Sequence, residues 1–268
     1  FKTHHSDTEV LLHGYEQWGI DGLLQRLNGI YAFAIYDMTD GSLSLARDRL
    51  GVKPLYYSFS NQIFMFASQI KSLLLTGRIK AVLSTKALLF YLKYQFVPGE
   101  QTILEDVKKL LPGHVLKYKD GRLNTWKYWD FPQPRIDDDI PFTDCAEQLN
   151  ALLCDAVECQ MMSDVPVGVF LSGGLDSSII AYLMAQKSNL PIKSYSIVFP
   201  GNELHDESDF SRAVAKEISS DHKEIVFSEE ILLDIIDGVI ASMDEPVADP
   251  AMIPTYVMSK EASREVKV

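Results

Sequence analysis

The sequence is poor in positive charge: 25 Lys and Arg stand against 37 Asp and Glu, a formal net charge of −12 over 268 residues. A nucleic-acid partner needs a basic patch or stripe, so none is expected. Cysteine is scarce as well. Cys145, Cys154 and Cys159 are an odd count and lack the C-x-x-C spacing of a zinc or dithiol site. Cys154 reads as a helix-face residue and the other two as incidental thiols, which suits a reducing, cytoplasmic setting. No apolar run reaches membrane-spanning length, and no charged stretch followed by an apolar one marks a secretory signal, so no membrane partner is expected. The chain opens on Phe1 and stops at Val268 within an apolar pattern, so both ends read as cut.

What is present is apolar material, 47% of the residues, enough for one or two packed domains. Ser6-Asp7-Thr8-Glu9 has the S-x-x-E spacing of a capping box. Val10, Leu11, Tyr15 and Trp18 then follow at roughly helical spacing up to Gly19, and a second short helix covers 22–27. Residues 30–37 are apolar on both faces and predict a central strand. Residues 42–47, 54–59 and 63–67 are further short strands, the last two turning about Ser60-Asn61; tight turns between sequential strands predict an antiparallel sheet. Arg47-Asp48-Arg49 reads either as a solvated loop held by ion pairs or as a structural network. The second is preferred, and no catalysis is assigned to it. Ser84 or Thr85 caps a helix through Tyr94 that Pro98-Gly99 breaks, and strands at 114–118 and 123–129 form a hairpin about Asp120-Gly121. Trp126, Tyr128 and Trp129 are assigned to packing rather than to base stacking.

The Pro- and Asp-rich segment that follows is read as a linker, giving a first domain at 1–130, a linker at 131–142 and a second domain at 143–268. Thr143 caps a helix to about Gln160. Strands at 165–171, 192–199, 222–227 and 265–268 then alternate with helices at 179–186, 209–218, 229–243 and 249–263, which predicts a parallel, doubly wound sheet. The fold class is therefore α+β for the first part and α/β for the second. In a doubly wound sheet ligands sit beyond the carboxyl ends of the strands, at the switch point.

One such end carries the most specific stretch of the chain, residues 165–178, VPVGVFLSGGLDSS. An apolar strand runs into a loop of Ser172, Gly173, Gly174, Leu175, Asp176, Ser177 and Ser178, followed by helix-forming residues. Free N–H groups and the helix dipole there make an anion site. Gly173 and Gly174 let backbone approach a phosphate, and the serine hydroxyls can add donors. Asp176 beside a phosphate implies a divalent cation between them, since Mg²⁺ is commonly held by one or two carboxylates plus phosphates. The plainer reading, an ordinary turn rich in Ser and Gly, accounts for less of the pattern. The Walker spacing G-x-x-x-x-G-K-[ST] and its Lys are absent.

The loop resembles the pyrophosphate loop (PP-loop) of the ATP pyrophosphatases, and the wider stretch MMSDVPVGVFLSGGLDSS at 161–178 resembles the glutamine-hydrolysing asparagine synthetases. In the first part, SDTEVLLHGYEQWG, LNGIYAFAIYD and ARDRLGVKPLYY look like the second half of the glutaminase domain of the same enzymes. The resemblance implies an antiparallel Ntn-type (N-terminal nucleophile, class II amidotransferase) sandwich followed by a PP-loop domain similar to the adenine nucleotide α-hydrolases. It also implies a chemistry. Glutamine yields ammonia, the β-carboxylate of aspartate attacks the α-phosphate of ATP to give β-aspartyl-AMP and pyrophosphate, and ammonia then attacks the acyl carbon. Glutamine, aspartate and ATP are the implied small-molecule partners and Mg²⁺ the implied ion, with a homodimer as the assembly kept in view.

Carried over residue by residue, Asp7 would bind the α-amino group of glutamine; read from the residues alone it is a first-turn acid favoured by the helix dipole. Residues 172–178 would hold ATP, with Asp176 as metal ligand. Phe170 and Ile197, where the family usually has Leu or Val, would frame the adenine with their backbone, and both are equally readable as strand core. Asp206-Glu207 and Asp244-Glu245-Pro246 resemble acidic family elements; the first is read as a helix start, and the second could hold a cation or position an amine. The family's N-terminal cysteine, its upstream arginine, its Asn-Gly-Glu segment and the Ser-Gly-x-Gly-x-Asp-Glu segment after the strand at 265–268 have no match, so the stretch alone is expected to be inactive. An asparagine-synthetase-like amidotransferase acting on another acid, such as a peptidoglycan or exopolysaccharide precursor, or a β-lactam synthetase, and a non-catalytic nucleotide-binding scaffold are the rival readings.

Overall fold

Helix α1 (Asp7–Arg26) starts where the S-x-x-E spacing puts it and kinks at Gly19, whose φ of 65° and ψ of −177° suit glycine alone, so the two expected helices are one broken span. The capping box does not form. Ser6 makes no capping bond, and the Glu9 carboxylate instead accepts from the Thr3 hydroxyl and the N–H groups of Lys2 and Thr3, which brings its pKa down to about 2. The expected apolar stripe is not the buried face either. Val10 and Trp18 are exposed, and Leu23 and Leu24 are buried, because Gly14 leaves room for Leu23 to pack back across the kink. Trp18 lies under Arg26, 4.6 Å from the ring centre to the guanidinium carbon.

The structure is a computed structural model that describes residues 2–3, 6–134, 140–200 and 207–268. Its contacts divide the chain into two units, Phe1–Pro134 with Met243–Ala248, and Arg135–Ser242 with Asp249–Val268. In the first, β1 (Ala32–Asp37), β2 (Ser42–Arg47), β6 (His114–Lys119) and β7 (Arg122–Lys127) pair antiparallel in the order β1-β2-β6-β7. A second antiparallel sheet has the order β4-β3-β5, from β3 (Tyr56–Ser60), β4 (Ile63–Ala67) and β5 (Lys108–Lys109). The hairpin turns at Asn61-Gln62 and Asp120-Gly121 have both central residues at positive φ, the twist-matched geometry for two-residue connections. Helix α2 (Ile70–Leu74) packs with β4, and α3 (Thr85–Tyr94) is capped by the Ser84 hydroxyl as expected but ends on a left-handed Gln95, ahead of Pro98-Gly99. One expectation fails: β1 stands at the sheet edge among the described residues, with Tyr36 exposed, and β2 is the strand buried on both sides. A strand apolar on both faces looks central in sequence, but its place depends on remote partners.

Arg47-Asp48-Arg49 is a structural network, and side chain meets backbone in it rather than charge meeting charge. The buried Asp48 carboxylate accepts from the N–H groups of Val52 at 2.9 Å and Lys53 at 3.0 Å. Arg47 donates to the carbonyls of Lys53, Leu110 and Gly51, each at 2.7 Å. Trp126 and Tyr128 pack around Leu24, Ala46 and Val115, as a packing role requires. Within the same unit Glu245 pairs with Lys109 at 3.0 Å, and the Asp244 carboxylate accepts from the Lys71 N–H. Lys109 thus engages one Glu245 oxygen, Oε2, while Oε1 is buried without a hydrogen-bond partner among the described residues, and burial pushes the Glu245 pKa up; the ion pair speaks for a structural role, and no cation is assigned to this segment.

In the second unit α4 (Phe142–Met161) is preceded by Pro141 at its N-cap, with Thr143 inside the first turn and not capping. Strand β8 (Gly168–Phe170) keeps only three of the seven expected residues. It is followed by α5 (Leu175–Lys187), β9 (Lys193–Val198), α6 (Ser208–Glu217), β10 (Asp221–Val226), α7 (Glu229–Ser242) and α8 (Met252–Ala262). The strands are parallel in the order β10-β9-β8. The expected fourth strand is not regular, but the segment runs along the free side of β8: Gly168 N–H donates to the Val268 carbonyl at 2.8 Å and Lys267 N–H to that of Pro166 at 3.0 Å. One core gathers Val157, Leu171, Ala181, Leu183, Met184 and Ala215 beneath α4, α5 and α6; another gathers Tyr195, Ile225, Val257, Ala262 and Val266 beneath α7 and α8. The described residues therefore form a mixed fold, antiparallel sheets in one unit and a parallel sheet in the other. Between β9 and β10 the imidazole of His222 lies 2.8 Å from the Ser194 hydroxyl through Nδ1 and 3.1 Å from that of Ser196 through Nε2, and burial holds its pKa below the usual histidine value.

Candidate functional site: the glycine loop after β8

The loop is shorter than its polar residues suggest. Gly174 is the N-cap of α5, so Leu175, Asp176, Ser177 and Ser178 belong to the helix and only Ser172, Gly173 and Gly174 are loop. Asp and Ser are at home in a first turn and in a loop alike, so composition did not separate the two. The consequence is favourable for anion binding. The N–H groups of Leu175, Asp176 and Ser177 lie in the first turn, where no carbonyl precedes them in the helix, and the dipole adds to them.

The hydroxyls are arranged differently from the expectation. Those of Ser177 and Ser178 donate to the Gly174 carbonyl, at 3.2 and 2.7 Å. The Ser172 hydroxyl oxygen accepts the Gly174 N–H at 3.2 Å and lies 2.9 Å from the Ser177 hydroxyl oxygen. They tie the loop to the helix start, and the outward donors are backbone N–H groups.

Gly173 is the residue that only glycine can be. Its φ is 87°, and a Cβ there would stand 2.8 Å from the Phe210 Cβ, 2.9 Å from the Ser211 N and 3.1 Å from the Glu207 carbonyl oxygen. The start of α6 is pressed onto the loop at this point. Phe210 and Ser211 were missed in the sequence, where nothing but their place behind a helix start singles them out. Glu207 is the N-cap of α6, its carbonyl accepting from Phe210 and Ser211, which is the helix-start reading; Asp206 lies outside the described residues, as do Phe1 and residues 135–139 of the expected linker.

Asp176 is exposed and makes no hydrogen bond or ion pair with a described residue, so its carboxylate points at solvent from the first turn of α5. Among the described residues no group of three His, Cys, Asp or Glu side chains stands together. A cation at this place would rest on Asp176 and on the phosphates of its ligand, a donor set of hard oxygens that fits Mg²⁺. Phe170 is the last residue of β8, and Ile197 lies one residue from the end of β9. Leu171 N–H donates to the Tyr195 carbonyl at 2.8 Å and Gly168 N–H to the Val268 carbonyl, so by strand alternation the N–H and C=O of Phe170 face away from β9. Those of Ile197 face toward β8, beyond the point where β8 has turned into the loop. Asp7 is the first residue of α1, exposed and without a described partner.

Residues 148–268 match the family described as Asparagine synthase, and residues 1–129 the one described as Glutamine amidotransferase domain. Among curated proteins, glutamine-hydrolysing asparagine synthetase 3 of Bacillus subtilis is 36% identical over 256 residues, 90% of this chain and 41% of its own length. Glutamine-hydrolysing asparagine synthetase 1 of the same organism is 34% identical over 266 residues, 98% of this chain and 41% of its own. The chain thus spans well under two thirds of the length of either relative. A solved glutamine phosphoribosylpyrophosphate amidotransferase from B. subtilis covers 93% of the chain at 14% identity and a TM-score of 0.36, a likeness too slight to carry weight. By the two family matches the chain belongs, through residues 1–129 and residues 148–268 in turn, to the glutamine amidotransferase and asparagine synthase families.

Proposed function

We propose that the protein to which this chain belongs converts aspartate to asparagine with ammonia drawn from glutamine, by way of β-aspartyl-AMP, releasing AMP and pyrophosphate. On this reading the domains are 1–130, a glutaminase, and 143–268, a doubly wound PP-loop domain, joined by 131–142. The observation that carries the reading is the position of the glycine loop. Strands β9 and β10 extend the sheet to one side of β8 while the 266–268 segment lies on the other, so the chain changes direction at β8, and the loop opens at the carboxyl end where such sheets take their ligands.

The residues then have separate tasks. The first-turn N–H groups of α5 hold the pyrophosphate as it departs, fixed donors that need no reorganisation as charge develops on the leaving oxygen. Gly173 brings the backbone close, and the serine hydroxyls keep the Gly174 peptide in place. Phe170 and Ile197 offer main-chain N–H and C=O groups to the adenine edge. Asp176 would hold Mg²⁺, which when bound neutralises charge on the phosphates. Asp7 would take the α-amino group of glutamine.

The test uses the intact protein with Mg-ATP, aspartate and amide-¹⁵N glutamine, reading labelled asparagine, AMP and pyrophosphate together. All three are expected. Glutamate and pyrophosphate without asparagine would replace aspartate by another acceptor acid, and no pyrophosphate with any acceptor would leave a nucleotide-binding scaffold.

A further inference from the structure

Helices α7 and α8 belong to the second unit, yet the stretch Met243–Ala248 between them belongs to the first. It is held there near both its ends. The Lys71 N–H donates to the Asp244 carboxylate at 3.4 Å, and the Ala248 N–H to the Gln95 carbonyl at 2.9 Å. Between these two bonds Lys109 Nζ donates to Glu245 Oε2 at 3.0 Å and to the Val97 carbonyl at 2.6 Å. Lys109 is part of β5 and pairs with Tyr56 of β3, so the sheet fixes where the cation stands. Its side chain and that of Glu245 are only 15% and 13% exposed, which removes them from the screening that makes surface ion pairs weak.

Two features set a cost against this seating. Glu245 Oε1 is buried with no hydrogen-bond partner among the described residues, so the ion pair offsets only part of the carboxylate's desolvation. Gln95, whose carbonyl accepts from Ala248, has a φ of 66°, which is unfavourable for a residue with a Cβ. A contact that carries such costs can be tipped by a modest bias. The stretch leads directly into α8, whose Val257 and Ala262 pack with Tyr195 of β9 and Ile225 of β10, and β9 also carries Ile197, one of the residues assigned to the nucleotide. We propose that Met243–Ala248 is a strap that couples glutamine hydrolysis to amide formation, with Lys109 and Glu245 as its positioning residues. This inference rests on the reaction assigned above. Nucleotide and acceptor favour one arrangement of β9 and α8, and the strap, continuous with α8, carries that preference to β5 of the first unit. By linkage the effect runs both ways. Ammonia is then released chiefly when an acyl adenylate stands ready to take it.

The test is made on the intact protein and compares glutamate with pyrophosphate, so the identity of the acceptor acid does not enter. Lys109→Met alone would leave a buried carboxylate without its cation and could unfold the unit. The double variant Lys109→Met, Glu245→Gln removes both charges together. In the unaltered protein glutamate and pyrophosphate should appear in equal amounts. In the double variant the ratio of glutamate to pyrophosphate should rise about fivefold or more, the lower end of ordinary coupling. Pyrophosphate release supported by added ammonium chloride should stay as it was, as should the urea midpoints. An unchanged ratio would overturn the proposal. So would an equal loss of glutamine- and ammonia-supported pyrophosphate release, which is what a merely structural pair predicts. No pyrophosphate from the unaltered protein with either nitrogen source would overturn the assigned reaction, and this inference with it.

Discussion

Replacing Gly173 by alanine puts a methyl carbon 2.8 Å from the Phe210 Cβ and 2.9 Å from the Ser211 backbone N. Neither neighbour can rotate away, because one is fixed to the backbone of α6 and the other is backbone. The φ of 87° adds a conformational penalty of about 1–2 kcal/mol for a residue with a Cβ, and forcing an atom into a filled contact typically adds about 1–3 kcal/mol. Together the substitution should cost about 2–5 kcal/mol, expressed as a lower urea midpoint, as a loop displaced from α6, or as both. Gly174 is the control. Its φ is −68° and its Cβ would meet only the Ser172 hydroxyl oxygen at 3.3 Å, so Gly174→Ala should cost no more than about 1 kcal/mol. In the pyrophosphate-release assay Gly173→Ala should lose about 100-fold in kcat/KM for ATP, the effect of misplacing reacting groups by about 1 Å. A Gly173→Ala protein with unchanged urea midpoint and unchanged kcat/KM would refute both the contact with α6 and the role of the loop.

Asp176→Ala should abolish pyrophosphate release while leaving glutamate release from glutamine intact; unchanged pyrophosphate release would remove Asp176 from cation binding. Asp48→Ala leaves the N–H groups of Val52 and Lys53 without their acceptor in a buried site, a loss of about 2–4 kcal/mol in urea unfolding, and Asp48→Asn should recover part of it. His222 has a depressed pKa in the folded protein, so below about pH 6.5 the unfolded chain takes up the proton first. Its contribution to stability is full above that pH and is lost as pH falls through the folded-state value. Unfolding midpoints compared at pH 7.5 and 5.5 should fall less for His222→Gln than for the unaltered protein, and an identical fall would remove His222 as the cause.

Local chemistry was legible in the sequence wherever one or two residues decide the outcome. Asp120-Gly121 supplies two positive φ angles and makes a hairpin turn; Ser84 caps α3 with its own hydroxyl. The glycine loop was legible for the same reason, since Gly173 has one conformation that few residues share. What was not legible depends on distant partners or on residues with two equally good homes. Asp176 and Ser177 suit a loop and a first turn alike, so the start of α5 was placed four residues late. The pattern of β1 looks central, yet its neighbours are decided elsewhere in the chain. Nothing around Glu245 announces that it pairs with Lys109, far away in sequence, and the short range of the Ser172, Ser177 and Ser178 hydrogen bonds shows only once the Gly174 carbonyl is in place.

The register Leu45 with Leu116 joins β2 to β6, and this pairing sets the order in which the first unit can assemble. The hairpins β1–β2, β3–β4 and β6–β7 close over turns of a few residues and can form within microseconds. The β2–β6 pair must instead close a loop of about 70 residues before any of its contacts repay the lost chain entropy. That closure buries Leu45 and Leu116 together, so it is the step that commits the unit. Ribosomal synthesis has passed residue 116 before it can occur, and until then β2, paired with β1 along one edge, has its other edge free.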